Sequence, residues 1–273
     1  MTTTAPASAS TVPGPDGALL VVDHVSHTYG SGDRAHLAIR DLTFAVHPGE
    51  FVSIVGPSGA GKTTLLRTLA GLLEPSSGGV WVHGTRITGV PDDMAMVFQD
   101  YSRSLLPWLS VAKNVAFPLA GSARSKAERD EIVDESLEAV GLAGFGDRYP
   151  WQLSGGMQQR VAIARALAYR PSLMLMDEPF ASVDAQTREG LEDLVLRIRD
   201  QYDMTILFVT HDIDESVYLA DRVLVLSRSP AHVVEDLSID LPAPRDQIST
   251  REHADFVHLR SRVARLVHGG QPD

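Results

Sequence analysis

Phe51-Val52-Ser53-Ile54-Val55-Gly56-Pro57-Ser58-Gly59-Ala60-Gly61-Lys62-Thr63-Thr64-Leu65-Leu66 decides the fold. An apolar run over 51–55 ends on a glycine-rich loop, and 63–73 follows with helical apolar spacing. Strand, Gly-rich loop and helix in that order turn a pattern match into a phosphate-binding loop. The run 56–63 reads G-x-x-x-x-G-K-T. Its glycines let successive backbone N–H groups point at phosphate oxygens, and the helix adds its positive N-terminal end. Lys62 then reaches the β- and γ-phosphates, and the Thr63 hydroxyl ligates Mg2+. The competing reading, a Gly-rich turn, has little room, since average residue usage makes a chance match on the order of one per cent.

Outward from this loop, 19–25 and 38–46 read as strands before it, and 80–82 and 94–98 as strands after it. The texture then changes: 125–140 is charged and helical, and 98–173 holds no good strand candidate. Residues about 100–170 therefore read as a helical insertion into an α/β core. Gly155 to Tyr169 is helical and Pro171 stops it; 173–176, 205–209 and 223–226 are short strands, with a helix at 188–201. Strands alternating with helices imply a parallel sheet. After Ser227 the chain reads as leaving the core, and Ser249 with Glu252 reads as a capping box before a helix striped by Phe256, Leu259, Val263 and Leu266. The domain reading is a disordered tail over 1–17, a core unit over 18–228 and a C-terminal extension over 229–273.

Composition bounds the partners. The 273 residues, 44% hydrophobic and 22% charged, suit a soluble globular chain. A net charge of −11 argues against nucleic acid, whose binding is driven by Lys and Arg on phosphates. There are no cysteines, which excludes disulfides and thiolate metal sites. The most apolar runs, 205–209 and 223–226, fall far short of the ~20 residues of a membrane span, so work at a membrane requires another chain to supply the spans.

Leu173-Met174-Leu175-Met176-Asp177-Glu178 is an apolar strand ending in two carboxylates. Neighbours in a strand point to opposite sides, so the two need not share a role. Asp177 is placed to hold Mg2+ through its water shell, and Glu178 to face the γ-phosphate and polarise the attacking water. The bland alternative makes Glu178 the solvated end of a strand.

Leu153-Ser154-Gly155-Gly156-Met157-Gln158-Gln159-Arg160 narrows the choice. With the phosphate loop and the two carboxylates it resembles the ATPase subunit of an ABC transporter, from Leu19 to about Leu226. That resemblance implies a P-loop NTPase core of α/β class with an antiparallel β subdomain and an inserted α-helical subdomain. It assigns Tyr29 to stacking on adenine. Gln99 is assigned to Mg2+ and water, at the hinge of the helical lobe. Ser154, Gly155 and Gly156 meet the γ-phosphate of the opposite subunit, Asp184 couples the two sites across the dimer, and His211 is the switch histidine. Glu178, His211 and Gln99 are thus the catalytic set, and Thr63, Gln99 and Asp177 the Mg2+ set. Met157 and the run Ala181-Ser182-Val183 depart from the family pattern without removing a catalytic group.

The resemblance also implies a homodimer in which ATP closes two shared sites, working on integral membrane permease subunits and, through them, with an extracytoplasmic substrate-binding protein. The chain would then sit peripherally on the cytoplasmic face of the cell membrane. Leu105-Leu106-Pro107-Trp108 resembles the permease-docking segment of importers for nitrate, sulfonate and taurine. The rival readings are a soluble ABC ATPase of DNA or ribosome metabolism, a phosphate-loop kinase and a stand-alone regulatory module. Long coiled-coil inserts or paired ATPase units would mark the first, and the kinase has no use for Ser154-Gly155-Gly156 or His211.

Overall fold

The computed structural model describes residues 17–100 and 104–269. The expected disordered tail therefore lies, except for Gly17, outside the described residues. Strands β1 (Leu20–Tyr29), β2 (His36–Val46) and β3 (Phe51–Val55) lead into helix α1 (Lys62–Leu69). Next come β4 (Ser77–Val82), β5 (Thr85–Arg86) and β6 (Met94–Val97). A helical stretch follows, with α2 (Val111–Ala116), α3 (Lys126–Ala139) and α4 (Gly155–Ala168). The chain returns to the sheet with β7 (Leu173–Asp177), α5 (Ala185–Tyr202), β8 (Thr205–Val209), α6 (Ile213–Leu219) and β9 (Arg222–Leu226). It ends with β10 (Val233–Ser238), α7 (Ser249–Glu252) and α8 (Ala254–His268).

The strands form two sheets. One is antiparallel with order β2-β1-β4-β5, and the other has six strands in the order β10-β9-β3-β8-β7-β6. From β9 to β6 every pairing in the larger sheet is parallel. Its central strands are apolar runs rather than alternations because both faces are covered, which is how buried parallel strands read. The period of two survives underneath. Phe51 and Val55, Met174 and Met176, and Ile206 and Phe208 pack into the core facing the helical insertion. Val52 and Ile54, Leu173 and Leu175, and Leu207 and Val209 pack against α1 and the antiparallel sheet. Burying each such side chain stabilises the fold by about 1.5–3 kcal/mol.

The regular secondary structure among the insertion's described residues is all helical, joined by loops, with α2 and α3 packed on α4. Sequence spacing alone had ended the core at Ser227. Instead β10 pairs antiparallel with β9, from Val233 opposite Leu226 to Ser238 opposite Arg222. Of its inward residues Leu237 is buried while Val233 and Glu235 are only half-buried, as suits an edge strand, so the run carries little apolar signal. The capping box at Ser249 and Glu252 is also corrected. Those residues form a short helix of their own, and α8 is capped by His253, whose side chain accepts from Asp255 N. The stripe itself holds in part, with Phe256 and Val263 buried and Leu259 and Leu266 packed at the margin. No helix among the described residues is long and apolar enough to cross a membrane.

The C-terminal segment is tied to the core by polar contacts. Glu192 of α5 is 1% exposed, and Arg251 Nη2 and Gln247 Nε2 donate to its carboxylate at 2.8 and 3.0 Å. Burial raises the Glu192 pKa, against the pull of Gln247 and Arg251. Removing one partner of a buried charge leaves the other uncompensated. Arg251→Ala is therefore expected to lower unfolding stability by roughly 2 kcal/mol in urea titrations at pH 7. An unchanged midpoint would show that the contact carries no stability.

Candidate active site

The loop after β3 opens a cleft of about 530 Å³ lined by Tyr29, Ser58 to Thr64, Glu178 and His211, with His36, Ala38 and Ser229 at its rim. Its chemistry begins with a helix start that is left open. Helices α2 to α6 each begin on a Ser or Asp whose side chain accepts a first-turn N–H: Ser110, Ser125, Ser154, Asp184 and Asp212. Helix α1 begins on Gly61, at φ 84°, with no side-chain cap. Its first amides therefore have no intrahelical partner and face the cleft, where they suit a phosphate. Only glycine fits this position, since a Cβ at Gly61 would also lie 3.0 Å from the carbonyl oxygen of Ala38.

Lys62 is 7% exposed, and its Nζ donates to the carbonyls of Gly56 at 2.8 Å and Pro57 at 3.3 Å. Burial lowers its pKa, and the charges of Glu178 and Asp177 oppose that shift. Asp177 closes β7, and burial, reinforced by Glu178, pushes its carboxyl up against the pull of Arg67 and Lys62. A cation at this carboxylate would relieve that strain. Thr63 is exposed to the cleft, while Thr64 is buried and its Oγ1 lies 3.1 Å from the Tyr29 hydroxyl. Tyr29 itself is 40% exposed, with His27 edge-on to its ring at 4.6 Å.

Glu178 is where three segments meet. Its backbone N donates to Val209 O at 2.8 Å, and its φ of +43° is a left-handed conformation costing of order 1–3 kcal/mol for a non-glycine residue. That turn carries the side chain off the strand. Its Oε2 lies 2.9 Å from His211 Nδ1 and accepts from Gln99 Nε2 at 3.4 Å. The sequence-expected catalytic set is thus gathered around one carboxylate oxygen. Behind His211, Thr210 Oγ1 donates to Glu215 Oε2 at 2.6 Å, and burial pushes the Glu215 carboxyl up to about 7. Sequence reasoning missed Glu215, as well as His36 and Ser229 at the rim. The position of Glu215 four residues after His211 was the available signal, whereas the rim residues carry none.

Ser154, Gly155 and Gly156 do not line this cleft. Ser154 Oγ accepts from Met157 N at 3.3 Å and caps α4. Asp184 caps α5, with Thr187 N and Oγ1 donating to its carboxylate at 3.0 and 2.7 Å. The two helix starts touch, since a Cβ at Gly156 would come within 2.3 Å of Thr187 Cγ2. In the segment expected to dock a membrane subunit, Leu105 is a correction. It is 2% exposed and packs in the core, so it offers no surface. Trp108 is 71% exposed. Buried Asn114 holds its loop, accepting from Leu106 N and donating to the carbonyls of Leu106, Leu109 and Ser110.

Two outcomes follow. Gly156→Ala is expected to destabilise the fold by about 1–3 kcal/mol in thermal or urea unfolding, because the added methyl overpacks Thr187; wild-type stability would show that the two helix starts separate freely. The raised Glu215 pKa means the folded state holds its proton more tightly than the unfolded chain. Its contribution is full below pH 4.5 and is lost as pH rises to about 7. Glu215→Gln is therefore expected to be more stable than wild type at pH 8, by up to about 3 kcal/mol. At pH 4.5 the difference should be small, and a pH-independent difference would contradict this.

Comparison with known proteins agrees with the geometry. Residues 39–181 match the family model described as ABC transporter. The chain is 42% identical over 252 residues to the nitrate import ATP-binding protein NrtC of Synechococcus elongatus, covering 91% of this chain and 38% of that one. It is 40% identical over 258 residues to the nitrate transport protein NasD of Klebsiella oxytoca, covering 93% and 98% of the two chains. A solved dimeric structure of a post-hydrolysis state of the ATP-binding cassette MJ0796, bound to ADP and Pi, superposes with a TM-score of 0.70. That match is 33% identical and covers 81% of this chain and 98% of that one. With its open phosphate loop facing one carboxylate, and matching NasD almost end to end, the chain belongs to the ABC transporter family.

Proposed function

We propose that this chain powers the import of small anions of the nitrate, sulfonate and taurine type through partner membrane subunits, by closing on ATP as a homodimer and opening after hydrolysis. The observation that carries the reading is the meeting of Gln99 and His211 on Glu178 Oε2 beside an uncapped helix start. NrtC and NasD, both named for nitrate, support the cargo class, although this chain spans only 38% of NrtC. An extracytoplasmic binding protein would deliver the anion to the permease. The catalytic unit runs from residue 18 through β10, with the helical lobe inserted at about 100–170.

Within one subunit, the amides following Gly61 and the Lys62 ammonium hold the phosphates while Tyr29 meets the base. Glu178 accepts a proton from the attacking water, and His211, with Nδ1 turned to Glu178, leaves Nε2 for the γ-phosphate. Thr63, Gln99 and Asp177 offer hard oxygen donors of the kind Mg2+ takes alongside phosphates. A single carboxylate suffices for that, and no group of three or more His, Cys, Asp or Glu suited to a metal occurs among the described residues. When bound, Mg2+ neutralises charge on the β- and γ-phosphates.

The second subunit supplies Ser154 with the amides of Gly155 and Gly156, completing a site that one chain holds by half; their absence from the cleft lining supports this. Asp184 then lies between the two sites. Leu106, Pro107 and Trp108 dock the permease at the cytoplasmic face of the membrane, with Leu105 as their buried anchor.

Glu178→Gln is expected to lower ATP turnover by at least about 100-fold and to trap an ATP-bound dimer, read by phosphate release and light scattering. A variant that stays monomeric with ATP and the cognate membrane subunits would overturn the closure mechanism.

A further inference from the structure

We propose that Glu215 and Arg188 are positioning residues that set the reach of His211 toward Glu178, a role that rests on the hydrolytic reading above. The turn from β8 into α6 carries His211 between a buried Thr210 and a half-buried Asp212, while the His211 side chain stays 58% exposed. An exposed imidazole on a turn is held only as well as the turn is. Main-chain bonding secures its start, where Thr210 N donates to Ile54 O at 3.2 Å. Beyond that point side chains do the holding.

Thr210 Oγ1 donates to Glu215 Oε2 at 2.6 Å and accepts from Asp212 N at 2.9 Å, so one hydroxyl staples the residues on both sides of His211 to a carboxylate that is 4% exposed. Arg188 closes the arrangement. Its Nη1 donates to Asp212 Oδ2 at 3.2 Å, and its Nε lies 3.6 Å from Glu215 Oε1. Arg188 stands in the first turn of α5, where its backbone N donates to Asp184 O at 2.9 Å. The contacts therefore run from the helix start at Asp184 to both flanks of His211.

Helix capping does not account for Glu215. Asp212 Oδ1 already serves the N–H groups of Asp214 and Glu215 at 2.9 and 3.2 Å. Nor does packing require a carboxylate, because an apolar side chain fills such a site without desolvating a charge. What the carboxylate supplies is a directional acceptor for Thr210. A reacting group displaced by about 1 Å can cost about 100-fold in rate, which is the sensitivity a positioning residue acts on.

Steady-state ATP turnover and mant-ATP binding by the purified full-length protein test this. Glu215→Ala and Thr210→Val are each expected to lower kcat at least about tenfold, with KM and the mant-ATP Kd within about twofold of wild type. The combined variant should be no worse than about twofold below either single one, because both break the same link. Glu215→Gln keeps an acceptor for Thr210 and should stay within about threefold of wild type. Arg188→Gln, at a partly exposed position, should lower kcat without changing Kd, and carries the test if Glu215→Ala does not fold. Wild-type kcat in Glu215→Ala, a parallel fall of kcat and affinity, or Gln as impaired as Ala would overturn the role. If Glu178→Gln abolishes turnover while Glu215→Ala does not lower it, the positioning role alone fails. Undiminished turnover in Glu178→Gln would remove the hydrolytic reading and this inference with it.

Discussion

Parallel hydrogen bonding among β3, β7 and β8 is the constraint on which the site depends. Its register sets Ile54 beside Val209 and Val209 beside Asp177, so all three strands end at one edge of the sheet. The segments leaving that edge are the phosphate loop, the Glu178 turn and the His211 turn. In an open parallel sheet, ligands bind outside the carboxyl ends of the strands, where the connections diverge. An antiparallel arrangement of the same strands would send Lys62, Glu178 and His211 to different ends of the sheet. The buried, two-faced core therefore shapes the cleft as well as stability, since a slip in register would carry a side chain of the cleft about 3.3 Å out of place.

Against that rigid edge the site keeps some groups unsatisfied. Five helix starts are closed by their own Ser or Asp, and the one at the phosphate loop is left open for a ligand. Lys62 waits on two loop carbonyls, and Glu178 holds a left-handed turn. Backbone strain of this kind persists only where the surroundings over-determine it. Here the Glu178 N to Val209 O bond and the buried strands on either side supply that restraint.

The close approach of Gly156 and Thr187 joins the start of α4 to the start of α5. Both helices present capped N-termini beside one another, away from the chain's own cleft. The segment proposed to dock a permease follows a different rule. Leu105 is sunk in the core and Asn114 ties down the loop, which leaves Trp108 standing out on a fixed base.

The amino-acid sequence by itself determined the phosphate loop, its helix, the carboxylate-ended strand and the parallel α/β class, because each is written in neighbouring residues by local backbone and burial rules. The helical character of the stretch between β6 and β7 is local as well, written in its charged texture and lack of strand candidates. Only the tertiary structure decided that Gln99 and His211, 79 and 33 residues from Glu178, share one of its oxygens. It alone decided that β10 joins the sheet, that Leu105 is buried, and that Glu215 and Arg188 grip the turn behind His211. The reason is physical: a polar residue's partner, and the burial of an edge strand or a loop, depend on chain segments far away in sequence, which no local pattern records.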